Sequence, residues 1–258
     1  MHDKHSVTLV PVEFPTIEVG QDLAPLVVRA LRKNHIKPKR GDVIAVASKI
    51  VSTCEEHIIR FSDVKVSSLA RRLAKRYKID EQLTEIVVSE SDQILGGVPG
   101  FLLTLKNDIL TANAGVDVKN APLESAVLWP NRPDRSANML RRNLDGHYHT
   151  TLCVEIVDSR VTPLRLGTTG LAIGVSGFSP VRDERKRLDL YGRTIRVTQT
   201  NVADDLAAAS HLLMGEASSR TAAVVIRNVD LKVGRGYCHD ATIDITRCLV
   251  GSCLKNRA

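Results

Sequence analysis

The sequence predicts an α+β fold of mixed strands and helices. Short, almost continuous apolar runs such as VIAVAS at Val43–Ser48 read as buried strands. Stretches with apolar residues at i, i+3 and i+4 read as amphipathic helices. The two kinds follow one another without the regular βαβ alternation that builds a doubly wound sheet.

Val7–Phe14 (VTLVPVEF) is the first expected strand, closed by Pro15. Asp22–Lys37 places Leu23, Leu26, Val27, Ala30 and Leu31 on one helical face. Gly41-Asp42 leads into the strand Val43–Ser48. Val66–Ile79 is expected to be an amphipathic helix with a basic outer face and Leu69, Leu73 and Tyr77 at i, i+4 and i+8. Asp108–Ala114 is a short strand entering a turn at Gly115, and Cys153–Val157 a strand ending in Asp158-Ser159. Gly170–Phe178 is apolar and glycine-punctuated, while Thr194–Thr200 alternates like a half-buried strand. Ala203–Glu216 is expected to be a helix, with Asp204 and Asp205 in its first turn and Gly215 near its end. Thr221–Arg227 is a late strand.

The chain has 258 residues, 43% of them apolar and 25% charged, which describes a globular protein of one large domain or two small ones. No apolar run approaches the ~20 residues of a membrane helix. The start carries no apolar signal core, and five Cys at irregular spacing make a poor disulfide framework, so a reducing cytoplasmic setting is expected. The net charge of +7 and a pI near 9.3 favour anionic partners such as nucleotides, phosphorylated cofactors, RNA or acidic substrates, although a solvated basic surface explains the charge equally well. Only nine residues are aromatic (four Phe, four Tyr, one Trp), too few for single-strand stacking platforms, so nucleic acid is not an expected partner.

There is no GxxxxGK[ST], no HExxH and no CxxC pair. Gly234-Arg235-Gly236 lacks the rest of a dinucleotide loop, and Cys238, His239, Cys248 and Cys253 are not spaced like a zinc site. Three segments instead set oxygen ligands at the ends of apolar strands. In ANAGVDVKN, Ala112–Asn120, Gly115 allows a close turn from which Asp117 and Asn120 project. In Val157–Ser159 a carboxylate stands beside a hydroxyl, a pair suited to a hard divalent cation. In Val197–Asp205 a glutamine precedes a helix N-terminus that would face phosphate. Each has a structural alternative: Asn113 and Asp117 shaping a turn, Asp204 and Asp205 capping a helix.

At these residues the sequence resembles the coenzyme F420-0:L-glutamate ligases, or F420:gamma-glutamyl ligases. The resemblance runs from about Thr8 to Arg227. It rests on PxxxxGxDL at Pro15–Leu23, GDVIAVASKIVS at Gly41–Ser52, PGFLL at Pro99–Leu103 and ANAGVD at Ala112–Asp117. GLAIGVSGF at Gly170–Phe178 and the long DLYGRTIRVTQTNVADDLAAASHLLMGE at Asp189–Glu216 complete it.

The resemblance implies an unusual α+β fold, neither P-loop nor ATP-grasp, and a homodimer. It implies addition of L-glutamate to the carboxylate of a deazaflavin coenzyme through a gamma-linked amide, with GTP as co-substrate and GDP and phosphate released. Two divalent ions, Mg²⁺ or Mn²⁺, are implied as cofactors, with K⁺ as a further candidate. Asp117 and Asp158 match the ligands of one metal, while Ser159 and Gln199 match positions at the second. Asn120 and the stretch Val197, Thr198, Gln199, Thr200, Asn201, Val202, Ala203 and Asp204 match nucleotide contacts. Phe14, Pro15, Thr16, Ile17, Ser48, Lys49 and Thr53 match further nucleotide contacts near the N-terminus. Lys49, with Arg165, would offset charge on the nucleotide or on an acyl phosphate.

The departures spare the metal positions but touch the implied acceptor pocket and one implied phosphate contact. Relatives read DTFGRPWRxG where this chain has DSRVTPLRLG, Asp158–Gly167, so the motif's glycine is Val161, its first arginine Thr162 and its tryptophan Leu164. A lysine common after KIVS is Thr53, and GDDL is GQDL with Gln21. Two other readings follow: a ligase of the same fold with another amino acid or acid acceptor, and a non-catalytic nucleotide- or RNA-binding protein. The expected division is a catalytic domain over 1–229, of one or two intertwined subdomains, and a Cys-containing extension over 230–258.

Overall fold

The computed structural model describes residues 6–216 and 220–255. The strands are β1 (Thr8–Glu13), β2 (Val43–Ala47), β3 (Ile58–Arg60), β4 (Gln93–Val98), β5 (Phe101–Lys106), β6 (Ile109–Ala112), β7 (Ser125–Val127), β8 (Cys153–Val161), β9 (Thr168–Ser176), β10 (Val181–Asp183), β11 (Gln199–Asn201) and β12 (Thr221–Arg227). The helices are α1 (Leu23–Lys33), α2 (Ser48–Cys54), α3 (Ser68–Tyr77), α4 (Glu81–Glu90), α5 (Pro133–Tyr148), α6 (Val202–Met214) and α7 (Leu249–Lys255). The fold is α+β, and none of the described helices is long and apolar enough to cross a membrane.

A five-stranded sheet in the order β1-β12-β2-β8-β9 carries the molecule. Only β2 and β8 run parallel; every other neighbouring pair in it is antiparallel. Side chains alternate across a strand, so Val154 and Ile156 of β8 join the core beneath α1 and α5, while Cys153 and Val157 join the core beneath α6. Gly170 lets α6 close onto β9, since a Cβ there would lie 2.1 Å from the Ala207 carbonyl oxygen. A smaller unit of α3, α4 and the sheet β4-β5-β6 has a core of its own around Ile86, Val87 and Leu102.

Local chemistry sets the helix ends. Asp22 caps α1 through the Ala24 N–H, and Ser67 caps α3 through the Ala70 N–H at 3.2 Å. Lys78, in the left-handed region at φ 53°, ends α3. Helix α5, absent from the sequence reading, is carried by only a few buried residues, among them Ala137, Leu140 and Leu144, on an otherwise polar surface. The expected strand Thr194–Thr200 is corrected. Only 199–201 pair as β11, and residues 184–198 form an irregular hairpin that meets itself at Leu188 and Thr194. The alternation there packs on nothing among the described residues at Val197, which is 84% exposed.

Among residues 230–255, several contacts return to the main sheet and its surroundings. Val233 bridges Phe178, and the buried Cys238 thiol donates to the Ala172 carbonyl at 3.1 Å. All five cysteines are free thiols.

Glu155 sits wholly buried in β8 beneath α6, and neither carboxyl oxygen has a partner among the described residues. Burial, and then the Asp204 carboxylate, push its pKa well above the usual range. A carboxyl with a raised folded pKa costs stability as pH climbs from its unfolded to its folded value, and the cost is absent below the unfolded value. Glu155→Met is therefore expected to raise Tm at pH 8 by several degrees, from about 1–3 kcal/mol per unsatisfied buried group. The gain should shrink toward pH 4; equal gains at both pH values in thermal melts would refute the burial account.

Candidate active site

The end of β8, the β2–α2 junction and the segment after β6 meet at one cavity of about 550 Å³. Strand β2 runs without a loop into α2, which brings Ser48 and Lys49 to the cavity. Their neighbour across the parallel pairing is Val157 of β8, aligned with Ala47, so Asp158 and Ser159 follow at the same level.

Asp117 arrives by a different route. Asn113, Ala114 and Gly115 hold φ of 50°, 53° and 70°, three successive left-handed residues. The turn is pinned by Leu102 N–H to Asn113 Oδ1 and by Ala114 N–H to Thr104 Oγ1, both 2.8 Å. Asp117 then exchanges two backbone bonds with Val127, at 3.0 and 2.8 Å, which fixes its place beside Lys49. The Lys49 ammonium donates to Asp117 Oδ2 at 2.7 Å and also to the Lys119 carbonyl.

Asp158 is half-buried. Burial pushes its carboxyl up to about 6 against the pull of hydrogen bonds from the Ser159 N–H at 2.7 Å and the Trp129 indole N–H. The Asp117 carboxylate raises it further and Lys49 lowers it. Glu216 joins from beyond α6, accepting from Thr168 Oγ1 and bonding His211 Nε2, each at 2.8 Å, with Ser159 also bonded to it. Burial raises the Glu216 pKa, but those bonds outweigh it and the group lies below its usual range.

Phe14, Pro15, Thr16, Ile17, Ser48, Lys49, Thr53, Asp117, Asn120, Asp158 and Ser159 all line this cavity. The stretch 197–204 does not. Gln199 pairs with Asp183 in the β10–β11 hairpin, and Asn201, Ala203 and Asp204 face a second cavity. Asn201 caps α6 through the Asp204 N–H at 3.1 Å, and Asp204 pairs with Arg160 at 3.0 Å, so this helix N-terminus is occupied by its own side chains. The helix has thirteen residues, about 20 Å, and its other end, with His211, Met214, Gly215 and Glu216, reaches the first cavity. Arg165 is exposed in the β8–β9 turn and is absent from the lining. The sequence reading passed over Glu216, whose signal was its place just after the C-terminus of a helix anchored on β9.

The donor set suits a hard cation. Among the described residues no three His, Cys, Asp or Glu side chains form a ready-made cage. What the cavity offers is the Asp117 and Asp158 carboxylates with the Ser159 hydroxyl and Glu216 beside them, and Mg²⁺ is commonly held by one or two carboxylates with substrate phosphates completing its sphere. Lys49 already places a positive charge against Asp117, and a cation near Asp158 would offset the burial that raises its pKa.

Residues 11–228 match the family model described as F420-0:Gamma-glutamyl ligase. The chain is 37% identical over 223 residues to the coenzyme F420:L-glutamate ligase of Methanothermobacter thermautotrophicus, covering 86% of this chain and 88% of that protein. It is 36% identical to that of Methanopyrus kandleri, with 88% of each chain covered. It is 34% identical over 250 residues to that of Archaeoglobus fulgidus, covering 96% and 98%. A match over this span, with Asp117 and Asp158 at one cavity, means that the chain belongs to the F420-0:gamma-glutamyl ligase family.

Proposed function

We propose that this protein is a GTP-dependent ligase that joins L-glutamate to coenzyme F420-0. The observation that carries the reading is the single cavity in which Asp117, Asp158 and Ser159 meet all seven N-terminal residues expected to touch a nucleotide, Lys49 among them. Asp117 and Asp158 would hold one divalent ion, with Ser159 and Glu216 at a second. Bound Mg²⁺ or Mn²⁺ would supply neutralisation of phosphate charge and in-line alignment.

Amide formation needs the carboxylate oxygen converted into a leaving group. The acceptor carboxylate attacks the γ-phosphorus of GTP, the bond to the bridging oxygen breaks, and GDP departs, leaving an acyl phosphate. The glutamate amine then attacks the acyl carbon, phosphate leaves with the electron pair, and one amine proton is lost. Lys49 offers a cation for the transferring phosphoryl group once Asp117 turns to the metal. Phe14 and Ile17 give the nucleotide an apolar wall.

The test is turnover of purified protein with F420-0, L-glutamate, GTP and Mn²⁺, followed by mass spectrometry. A product heavier by one or more glutamyl units, lost on omitting GTP or metal, is the expected result. GTP hydrolysis or binding without ligation, across a panel of amino acids and acid acceptors, would overturn it. Metal binding is read separately. The chain has one tryptophan, Trp129, bonded to Asp158. Mn²⁺ is expected to quench its emission in the wild type and at much higher concentration in Asp117→Asn.

A further inference from the structure

A second cavity, of about 340 Å³, lies along the free edge of β9. Ile109 and Leu110 of β6 wall it, Leu171 of β9 lies beneath, and residues 242–245 of the C-terminal segment cover it. Its cationic residue is Arg160, two places beyond Asp158 on β8. Arg160 donates through Nη2 to Asp204 at 3.0 Å. Its Nε is shut off from solvent and has no partner among the described residues. Asp204 also accepts from Ala172 N–H at 3.2 Å and Asn201 Nδ2 at 2.9 Å, so it has little capacity left for Nε. Asp108 and Asp244 belong to the exposed rim, where water screens them.

A buried guanidinium N–H without an acceptor, at the end of a largely apolar cavity, calls for a carboxylate on a short aliphatic body. Successive residues of β8 serve the two cavities: Asp158 and Ser159 line the first and Arg160 the second. Two strand residues separate Arg160 from Asp158, about 7 Å. Four bonds of about 1.5 Å separate the amine of glutamate from its side-chain carboxyl carbon. A glutamate whose side chain reaches Arg160 thus presents its amine near Asp158. We propose that the β9-edge cavity binds the side-chain carboxylate of the incoming L-glutamate, with Arg160 as its anchor and the C-terminal segment as its cover. The inference rests on the ligase reading above.

Arg160→Gln is expected to raise KM for L-glutamate at least tenfold and to leave KM for GTP within twofold of wild type. It should also narrow the preference for L-glutamate over L-glutamine, and Arg160→Lys should restore part of that preference. Unchanged KM for glutamate and unchanged preference would overturn the assignment, as would a rise confined to KM for F420-0. Ala241→Phe, which fills the cavity from the C-terminal side, tests the same point if loss of the Asp204 partner unfolds the Arg160 variant. If the wild type shows no turnover, the ligase reading fails, and calorimetric titration with L-glutamate in the presence of GTP and Mn²⁺ decides the cavity. Binding that Arg160→Gln abolishes sustains it; no binding overturns it.

Discussion

Replacing Asp158 by asparagine is expected to cut ligation by about 10³-fold and to make the metal-free protein melt with a different pH-dependence from wild type. Trp129 and Ser159 donate to different carboxyl oxygens, Oδ2 and Oδ1, so asparagine keeps an acceptor for one and turns its NH2 toward the other, leaving that donor unmet. What it removes is the negative charge. Losing a charged ligand should lower kcat/KM by about 10³-fold, or ~4 kcal/mol, whereas Ser159→Ala, which removes a neutral donor, should cost about tenfold. Stability responds to pH. Burial holds the Asp158 carboxyl near 6, above its ordinary 3.8. Below the lower value both folded and unfolded chains are protonated and the residue is neutral to stability. Above the folded value the charged form carries its full burial cost. The variant should therefore gain on wild type by several degrees between pH 4 and pH 8 in EDTA, on top of a pH-independent loss of about 1–3 kcal/mol from the unmet donor. Activity comparable to wild type at saturating Mn²⁺ would end the metal assignment, and a melting difference independent of pH would end the electrostatic one.

The sequence was most readable where one physical signal acted alone. The run Val43–Ala47 is apolar throughout because β2 lies inside the sheet, between β12 and β8. Leu26, Val27, Ala30 and Leu31 announce a buried stripe, and α1 buries all four. At the site, Asp117, Asp158 and Lys49 were legible because each sits where an apolar strand stops or turns. Reading failed where tertiary contact replaced local signal. Helix α5 shows few apolar residues because a narrow stripe is all it buries. Residues 194–198 carry strand-like alternation, yet they meet only the irregular segment 184–188, and Val197 stays exposed. The segment ahead of α6 is instructive in another way. Gln199 and Asp204 look like ligands ahead of a helix N-terminus, but Asn201 and Arg160 satisfy that end of α6. The site is served by its far end, where a loop-borne Glu216 shows no periodicity to detect.

Gly115→Ala is expected to be the most destructive single-methyl change near this cavity. Its φ of 70° belongs to the left-handed region, where a side chain costs about 1–2 kcal/mol. A Cβ would also stand 2.1 Å from Trp129 Nε1, so the indole has to leave its place against Asp158. Overpacking adds about 1–3 kcal/mol, and the two effects together predict a loss of roughly 2–5 kcal/mol. Activity should fall further than stability explains, because a donor that orients a metal ligand is typically worth about 10–100-fold. The lone tryptophan makes the event visible: expulsion of Trp129, 3% exposed in the wild type, should shift its emission to the red. A double variant separates strain from collision. Trp129→Leu vacates the space that the new methyl needs, so in that background Gly115→Ala should cost only its backbone strain. The coupling between the two sites would measure the collision itself. If the single variant kept wild-type melting and emission, the contact between Gly115 and the indole would not exist. The route from the ANAG turn through Trp129 to Asp158 would then have to be abandoned.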